Sequence, residues 1–154
     1  MIERLRKDQI EDVLAMLAYL HDESPSFSAH PEDADWVTAN LIRMIDDDKH
    51  IMLNVTDAYG AVIAVMFGAV TAQWFSPRLE AYEMLLAVAP AYRGSPVAYR
   101  LIKRFEWESA KLGAEAITVG TSLGIADDRA VALYNRLGYT VSGTGLSKRI
   151  KPNV

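Results

Sequence analysis

Apolar residues recur at helical spacing over the first third of the chain and form nearly continuous runs over the middle third. A spacing of three to four residues places apolar side chains on one face of a helix, whereas a short continuous run is typical of a buried strand. The spacing predicts one helix that begins at Asp8, as its N-cap, and ends near His21, and a second helix over 32–45. The segment 24–26, Ser-Pro-Ser, separates the two, because proline restricts its own backbone and that of the residue before it.

The continuous runs predict strands. Residues 51–56 and 61–70 flank a turn that contains Gly60, which indicates a β-hairpin. A loop over 73–78 then precedes a further strand over 81–88. The hairpin and this strand together predict an antiparallel run in the middle of the chain.

Helices and strands alternate after residue 90. The predicted elements there are, in order, a helix over 95–112, a strand over 116–121, a helix over 127–137 and two closing strands over 139–141 and 146–150. Together with a short first strand near Ile2, this order predicts an α/β fold with a mixed, mostly antiparallel central sheet flanked by about four helices. No repeat or linker interrupts the chain, so we expect a single domain over 1–154.

Composition narrows the classes of function. The 154 residues carry a formal net charge of −4 and include no cysteine, which excludes a disulfide framework, a thiolate metal site and a cysteine nucleophile. The acidic balance argues against nucleic acid, whose binding needs clustered Lys and Arg. The three histidines lack metal-ligand spacing, so we expect no metal. No apolar run reaches membrane length and no signal-peptide stretch opens the chain, which favours a cytoplasmic protein without membrane contact.

The strand over 81–88 leads into a turn that reads Arg93-Gly94-Ser95-Pro96. Gly94 permits a positive φ and a close approach of a ligand to the main chain. Ser95 and Pro96 are typical of the start of a helix, whose free N–H groups and dipole form a site for anions. Arg93 lies beside the turn, where a guanidinium can pair with phosphate oxygens. The turn is therefore a candidate phosphate site.

A second segment, Asp127 to Tyr139, carries its own pattern. Asp127 is a natural N-cap, and Gly138 is the residue expected just after a helix ends. Between them, Tyr134 follows a stripe of small and apolar residues that faces one side of the helix.

The two segments, in this order and at this separation, resemble the pyrophosphate loop and the closing motif of the GNAT acyl-CoA N-acyltransferases. Gly94 fits the family pattern, whereas Ala91 stands where Gln or Arg is usual and Pro96 stands where Gly or Ala is usual. The resemblance implies a GNAT-like fold and the transfer of the acetyl group of acetyl-CoA to a primary amine by direct attack in a ternary complex. It implies that the cofactor contacts Leu86, Ala87, Val88, Arg93, Gly94, Ser95, Val97, Ala98, Asp127 and Tyr134.

The resemblance also implies catalytic roles. Tyr134 matches the family's tyrosine that protonates the departing thiolate, and a phenol is protonated at neutral pH. Glu83 lies near the position where some members carry a glutamate that deprotonates the amine. Strand alternation leaves open whether Glu83 or Tyr82 faces the site.

The residues that would meet the acceptor are less sharply marked. Asp22 and Glu23 follow the first predicted helix, where the family's acceptor pocket is bordered, and are further candidates for substrate binding and for the base. Trp74 and Phe75 form an aromatic pair in a predicted loop, where they either fold over a substrate or pack against a neighbouring subunit. For Trp36 we expect packing in the core.

Two functions follow as hypotheses. The first is an N-acetyltransferase whose acceptor is a small molecule or a protein. The second is a catalytically weak CoA-binding protein that acts as a sensor or inhibitor through protein contacts, which Ala91 and Pro96 favour. The predicted closing strands also offer a surface for a homodimer.

Overall fold

The computed structural model describes residues 1–121 and 127–152. Its elements in chain order are β1 (Ile2–Arg4), a 3-10 turn (Lys7–Gln9), α1 (Ile10–Glu23), α2 (Pro25–Ser28), α3 (Ala34–Ile45), β2 (His50–Thr56), β3 (Val62–Gln73), β4 (Ser76–Val88), a 3-10 turn (Pro90–Tyr92), α4 (Val97–Lys111), β5 (Ala116–Thr118) and α5 (Asp127–Arg136). The sheet order is β1-β2-β3-β4-β5, and each neighbouring pair is antiparallel except the parallel pair β4 and β5. The predicted mixed, mostly antiparallel α/β fold is confirmed.

The starts of the first two long helices differ from the prediction in detail. The Asp33 carboxylate accepts a hydrogen bond from the Trp36 N–H at 2.9 Å and so caps α3. The prediction that Asp8 caps the first helix is wrong, because the Asp8 carboxylate accepts instead from the Arg6 side chain at 3.1 Å. A 3-10 turn takes up these residues, and α1 begins at Ile10.

The predicted loop over 73–78 is a tight turn at Trp74 and Phe75. Strand β4 begins at Ser76, so β3 and β4 form one long hairpin. Pro77 favoured the prediction of a loop, because proline cannot donate the hydrogen bond that a strand residue normally donates to its neighbour. Here it lies beside a register irregularity at Gln73, where a missing N–H is tolerated.

The two predicted closing strands are not formed. Residues 139–152, all of which are described, contain neither the strand over 139–141 nor the one over 146–150. Their apolar side chains at Val141, Leu146 and Ile150 are exposed. Alternation of apolar residues alone does not make a strand, since a strand also needs a hydrogen-bonding partner.

Two apolar layers sandwich the sheet. On one face, α1 and α3 pack against residues such as Val65 and Phe67. On the other face, α4 and the Tyr134 side chain of α5 pack against residues such as Met66 and Val70. Burial of both sheet faces explains why the strands read as continuous apolar runs.

Trp36 does not lie in the core. Its side chain is 71% exposed, because it projects from α3 away from the sheet-facing positions Leu41 and Met44. The expectation of core packing for this residue is wrong. None of the helices in the described part of the chain has the length and apolarity required to cross a membrane.

Candidate active site

Strand β4 contains a bulge at Met84. Glu83 pairs with Gly68 of β3, and Leu85 pairs with the preceding residue, Phe67, so Met84 is an extra residue. Because an extra residue reverses the alternation of side chains, residues on either side of the bulge change faces. Glu83 projects to the α4 and α5 face, and Leu85 projects to the α1 and α3 face. Glu83, two residues after Ala81 of the same face, rather than Tyr82, therefore lies on the Tyr134 side.

The outer edge of β4 is open next to the bulge. Parallel pairing with β5 spans only Glu80 to Tyr82 on β4 and stops at Thr118 on β5. Among the described residues, no strand pairs with β4 beyond Tyr82 on this edge. The main chain of 84–88 is thus left without a strand partner there, as a place where an extended ligand can add to the sheet.

Glu83 and Tyr134 meet beside this opening. The Tyr134 hydroxyl donates a hydrogen bond to Glu83 Oε2 at 3.0 Å, and the Gly120 N–H donates to the same oxygen at 3.3 Å. Tyr134 is 4% exposed. Its ring packs edge-on against Tyr139, with ring centroids 5.2 Å apart. Two residues predicted separately, 51 positions apart, form one hydrogen-bonded pair.

The surroundings shift the titration of both groups. Burial raises the pKa of the Glu83 carboxyl, and hydrogen bonds from Tyr134, Gly120 and Leu86 partly offset that rise. Burial also raises the pKa of the Tyr134 hydroxyl far above its ordinary value, and the adjacent charge of Glu83 adds to it. The pair therefore consists of a phenol that holds its proton firmly and a carboxyl group whose basicity is increased.

The predicted phosphate turn has the expected backbone. Gly94 adopts a φ of 82°, a backbone conformation that residues other than glycine rarely adopt. Ser95 Oγ accepts from the Val97 N–H at 3.4 Å and donates to the Tyr92 carbonyl at 2.6 Å. Helix α4, with 15 residues, begins immediately afterwards. Its amino-terminal end and the exposed turn offer backbone N–H groups to an anion.

Arg93 has partners within the protein. Its Nε donates to the Val88 carbonyl at 3.1 Å, and its Nη1 and Nη2 donate to the two Glu23 carboxylate oxygens at 2.5 and 2.6 Å. This fork joins the end of α1 to the phosphate turn. Hydrogen bonding from Arg93 lowers the pKa of Glu23, which makes Glu23 a weak base.

Arg129 lies at the turn, and the sequence interpretation missed it. Its Nη2 atom would be 3.3 Å from a Cβ placed on Gly94. A signal was present, because Arg129 occupies the first turn of α5, where the helix dipole disfavours a cation. A cation in that position is uncommon, which would have marked Arg129 as a candidate ligand for an anion. The segment that begins at Asp127 and the turn at Gly94 thus lie next to each other, and these segments carry the two sequence motifs.

The other predicted residues are more scattered. Leu86 and Val88 face α4, whereas Ala87 faces α1 and α3. Val97 is the first residue of α4, and its side chain is buried. Ala98 is the second residue of the same helix. Asp22 is exposed at the end of α1, 3.7 Å from the His21 ring.

Trp74 and Phe75 lie apart from the Glu83–Tyr134 pair. They form the tip of the β3–β4 hairpin, and seven strand residues at ~3.3 Å each place this tip roughly 23 Å from Glu83. Asp127 begins α5, but its side chain falls outside what the structure describes. Within 1–121 and 127–152, no group of three or more His, Asp or Glu residues is arranged to hold a metal ion.

Comparisons with known proteins agree with this geometry. The sequence model of the family described as "Acetyltransferase (GNAT) domain" matches residues 47–141, a range that includes the bulge, the phosphate turn and Tyr134. No curated protein sequence matches the chain.

Solved structures, among them two aminoglycoside acetyltransferases, share the fold over nearly the whole chain. An aminoglycoside acetyltransferase from an uncultured soil metagenomic sample is 22% identical, with a TM-score of 0.74 over 98% of each chain. Aminoglycoside 6'-N-acetyltransferase AAC(6')-Ih from Acinetobacter baumannii is 15% identical, with a TM-score of 0.76 over 99% of each chain. A mutant BH1408 protein from Bacillus halodurans is 14% identical, with a TM-score of 0.82 over 98% of this chain and 99% of that one. Since the family match spans more than half of the sequence, the chain belongs to the GNAT acetyltransferase family.

Proposed function

We propose that the chain is one acyltransferase domain that transfers the acetyl group of acetyl-CoA to a primary amine by direct attack in a ternary complex. The observation that carries the proposal is the 3.0 Å hydrogen bond from Tyr134 to Glu83, at the point where β4 loses its strand partner. A base and an acid in contact, beside an open strand edge, suit a reaction in which one proton is removed and another is supplied.

The residues present fit acetyl-CoA. The turn at Gly94 and the start of α4 offer N–H donors to the diphosphate, and the Arg129 guanidinium beside Gly94 offers positive charge. In the described chain the outer edge of 84–88 has no strand partner. Apart from the Leu86 N–H and the Val88 carbonyl, which Glu83 and Arg93 engage, its amide and carbonyl groups on that edge are offered to the pantetheine. When bound, acetyl-CoA supplies an activated acetyl group as a thioester.

Glu83 and Tyr134 provide the proton transfers. An ammonium group at neutral pH first loses one proton to solvent, and the Glu83 carboxylate accepts the second proton, which the nitrogen loses as the amide forms. Tyr134 supplies a proton to the sulfur that leaves. The hydrogen bond between the two side chains then lets the proton on Glu83 return to Tyr134, so the pair is restored without a separate proton donor.

The order of these transfers follows from the pKa shifts. The negative charge of Glu83 is one cause of the raised pKa of Tyr134. Once Glu83 has accepted the amine proton, that charge is gone and the pKa of Tyr134 falls. Tyr134 therefore becomes a stronger acid when the leaving sulfur needs a proton.

Thiol release from acetyl-CoA, measured with a panel of primary amines, tests the proposal. We expect Tyr134→Phe and Glu83→Gln each to reduce kcat by roughly 100-fold, the usual contribution of an acid or base. We expect neither variant to change the calorimetric affinity for acetyl-CoA. Full activity in Tyr134→Phe would remove its role as the acid.

A second experiment, the measurement of CoA binding, tests the cofactor site. We expect Arg129→Ala to weaken CoA binding by about tenfold, the effect of losing one charge-assisted hydrogen bond. Arg136→Ala, a substitution of an exposed arginine at the other end of α5, serves as the matched control. Equal affinities in the two variants would contradict the phosphate role of Arg129.

A CoA-binding sensor is the second candidate, and one observation favours it. The Arg93 guanidinium, expected at the phosphates, is already paired with Glu23, and Ala91 offers no polar side chain in its place. Binding of acetyl-CoA without thiol release from any amine would support the sensor.

A further inference from the structure

A cavity of about 450 Å³ opens on the face of the sheet opposite Tyr134. It lies between α1 and α3, and its floor includes Phe67 of β3 together with Met84 and Leu85 of β4. This volume is within the range of pockets that hold small organic ligands. The cavity is separate from the phosphate turn, because none of residues 93–96 lines it.

The walls of the cavity are mainly apolar. Leu14 and Leu17 come from α1, Val37 and Leu41 come from α3, and Phe27 comes from α2. Trp36, which is 71% exposed, stands at the rim. Exposed indole at the edge of an apolar cavity is a surface onto which a flat or branched hydrocarbon group can pack.

Several polar groups at the cavity already have partners within the protein. Asp33 accepts from the Trp36 N–H at 2.9 Å, and Asn40 Nδ2 donates to the Trp36 carbonyl at 2.9 Å. His21 Nε2 is 2.7 Å from the His30 carbonyl oxygen. These bonds use part of the hydrogen-bonding capacity of the polar lining, and the apolar walls offer none, so a molecular body rich in hydroxyl groups would lose water against the walls without gaining equivalent hydrogen bonds.

The cavity also adjoins the catalytic strand. Met84, the bulged residue, and Leu85 line it, and Glu83 is the next residue along β4 on the other face. Because β4 has no strand partner on its outer edge beyond Tyr82 in the described chain, no neighbouring strand separates the two faces of the sheet beside Met84. Two carboxyl groups, those of Glu32 and Asp33, outnumber the one guanidinium, that of Arg43, in the lining, which favours a cation over an anion.

We propose that this cavity selects the acceptor as a primary amine carried on an apolar body, aromatic or branched aliphatic, in preference to a polyhydroxylated amine. The inference rests on the proposed function and specifies its substrate class. The apolar walls receive the body of the molecule, and the amine passes the bulge at Met84 to reach Glu83.

Calorimetry with 2-phenylethylamine, in the presence of CoA, measures acceptor binding without turnover. We expect Trp36→Ala to weaken binding by roughly tenfold, the effect of losing one aromatic packing surface. Trp36 is exposed, so the variant should fold, and Phe27→Ala provides a second change within the cavity. Trp107→Ala, on the outer surface of α4, is the matched control and should bind like the parent.

Turnover with 2-phenylethylamine and with kanamycin completes the test. We expect kcat/KM to be higher for 2-phenylethylamine, with a rise in KM in Trp36→Ala. Turnover of kanamycin while 2-phenylethylamine neither binds nor reacts would overturn the inference and leave the proposed function intact. Binding of 2-phenylethylamine that depends on Trp36, without thiol release from any amine, would support the cavity's preference and refute the transferase function.

Discussion

The environment of Glu83 contains groups that favour its charged form and burial that disfavours it. Burial disfavours the charged form, and three donors, the Tyr134 hydroxyl and the main-chain N–H groups of Gly120 and Leu86, favour it. The balance leaves the pKa raised, which suits a base that must accept a proton from an amine. A group tuned in this way reduces stability at the pH where it works, because its charge is less well solvated in the folded protein than in the unfolded chain.

We therefore expect Glu83→Gln to raise the melting temperature at pH 7 by a few degrees, as about 1 kcal/mol does in a domain of this size, while it lowers kcat. Because the folded-state pKa of Glu83 is raised, protonation stabilises the parent as pH falls. The advantage of the variant should be full above the folded pKa and vanish below the unfolded pKa of about 4.3. Thermal melts from pH 8 to pH 4 check this. An advantage that grew towards low pH would contradict the raised pKa.

At the scale of elements, the site depends on how closely α4 approaches the hairpin opposite Glu83. Gly68 of β3 pairs with Glu83, and the Phe105 ring of α4 rests directly on it. A Cβ at Gly68 would lie 2.5 Å from Phe105 Cζ and would also collide with the Tyr82 carbonyl oxygen. The glycine therefore lets α4 pack against the strand that carries the base.

We expect Gly68→Ala to destabilise the protein by roughly 1–3 kcal/mol, the usual cost of overpacking a core. We also expect lower activity, because relief of the collision moves either β4 or α4. Urea denaturation measures the first effect, and thiol release measures the second. Gly143→Ala, where an added Cβ meets no atom within 4 Å, is the control. Equal stability of the two variants would show that α4 shifts without cost.

The elements also show what the sequence could and could not predict. The helices, the hairpin and the positive φ of Gly94 follow from spacing and turn chemistry, and the structure confirms them. The bulge at Met84 has no compositional mark, although it decides that Glu83 shares a face with Leu86 and not with Leu85. The contact of Arg93 with Glu23 could not be predicted either, since 70 residues separate the two and only the folded chain brings α1 to the turn.

On the scale of the whole molecule, two of the most exposed aromatic side chains lie far from the catalytic pair. Trp74 and Phe75 are 94% and 71% exposed and pack edge-on against each other at the tip of the long hairpin. Paired aromatic residues at such a tip are unusual on a surface that has no partner. Their separation from Glu83 favours, of the two sequence hypotheses, a contact with a neighbouring subunit over a contact with substrate.

Replacement of both aromatic residues, Trp74→Ser with Phe75→Ser, tests that hypothesis. We expect the parent to sediment as a dimer at micromolar concentration and the double variant to sediment as a monomer, because the substitution removes the largest apolar side chains that the hairpin exposes. Tyr59→Ser, at another turn and 96% exposed, should leave the association unchanged. A higher KM for the amine in the double variant, without a change in sedimentation, would instead assign the tip to the substrate. Since ~23 Å of strand separates the tip from Glu83, that result would require the acceptor to be long enough to span this distance, and thus to be a protein or a large molecule.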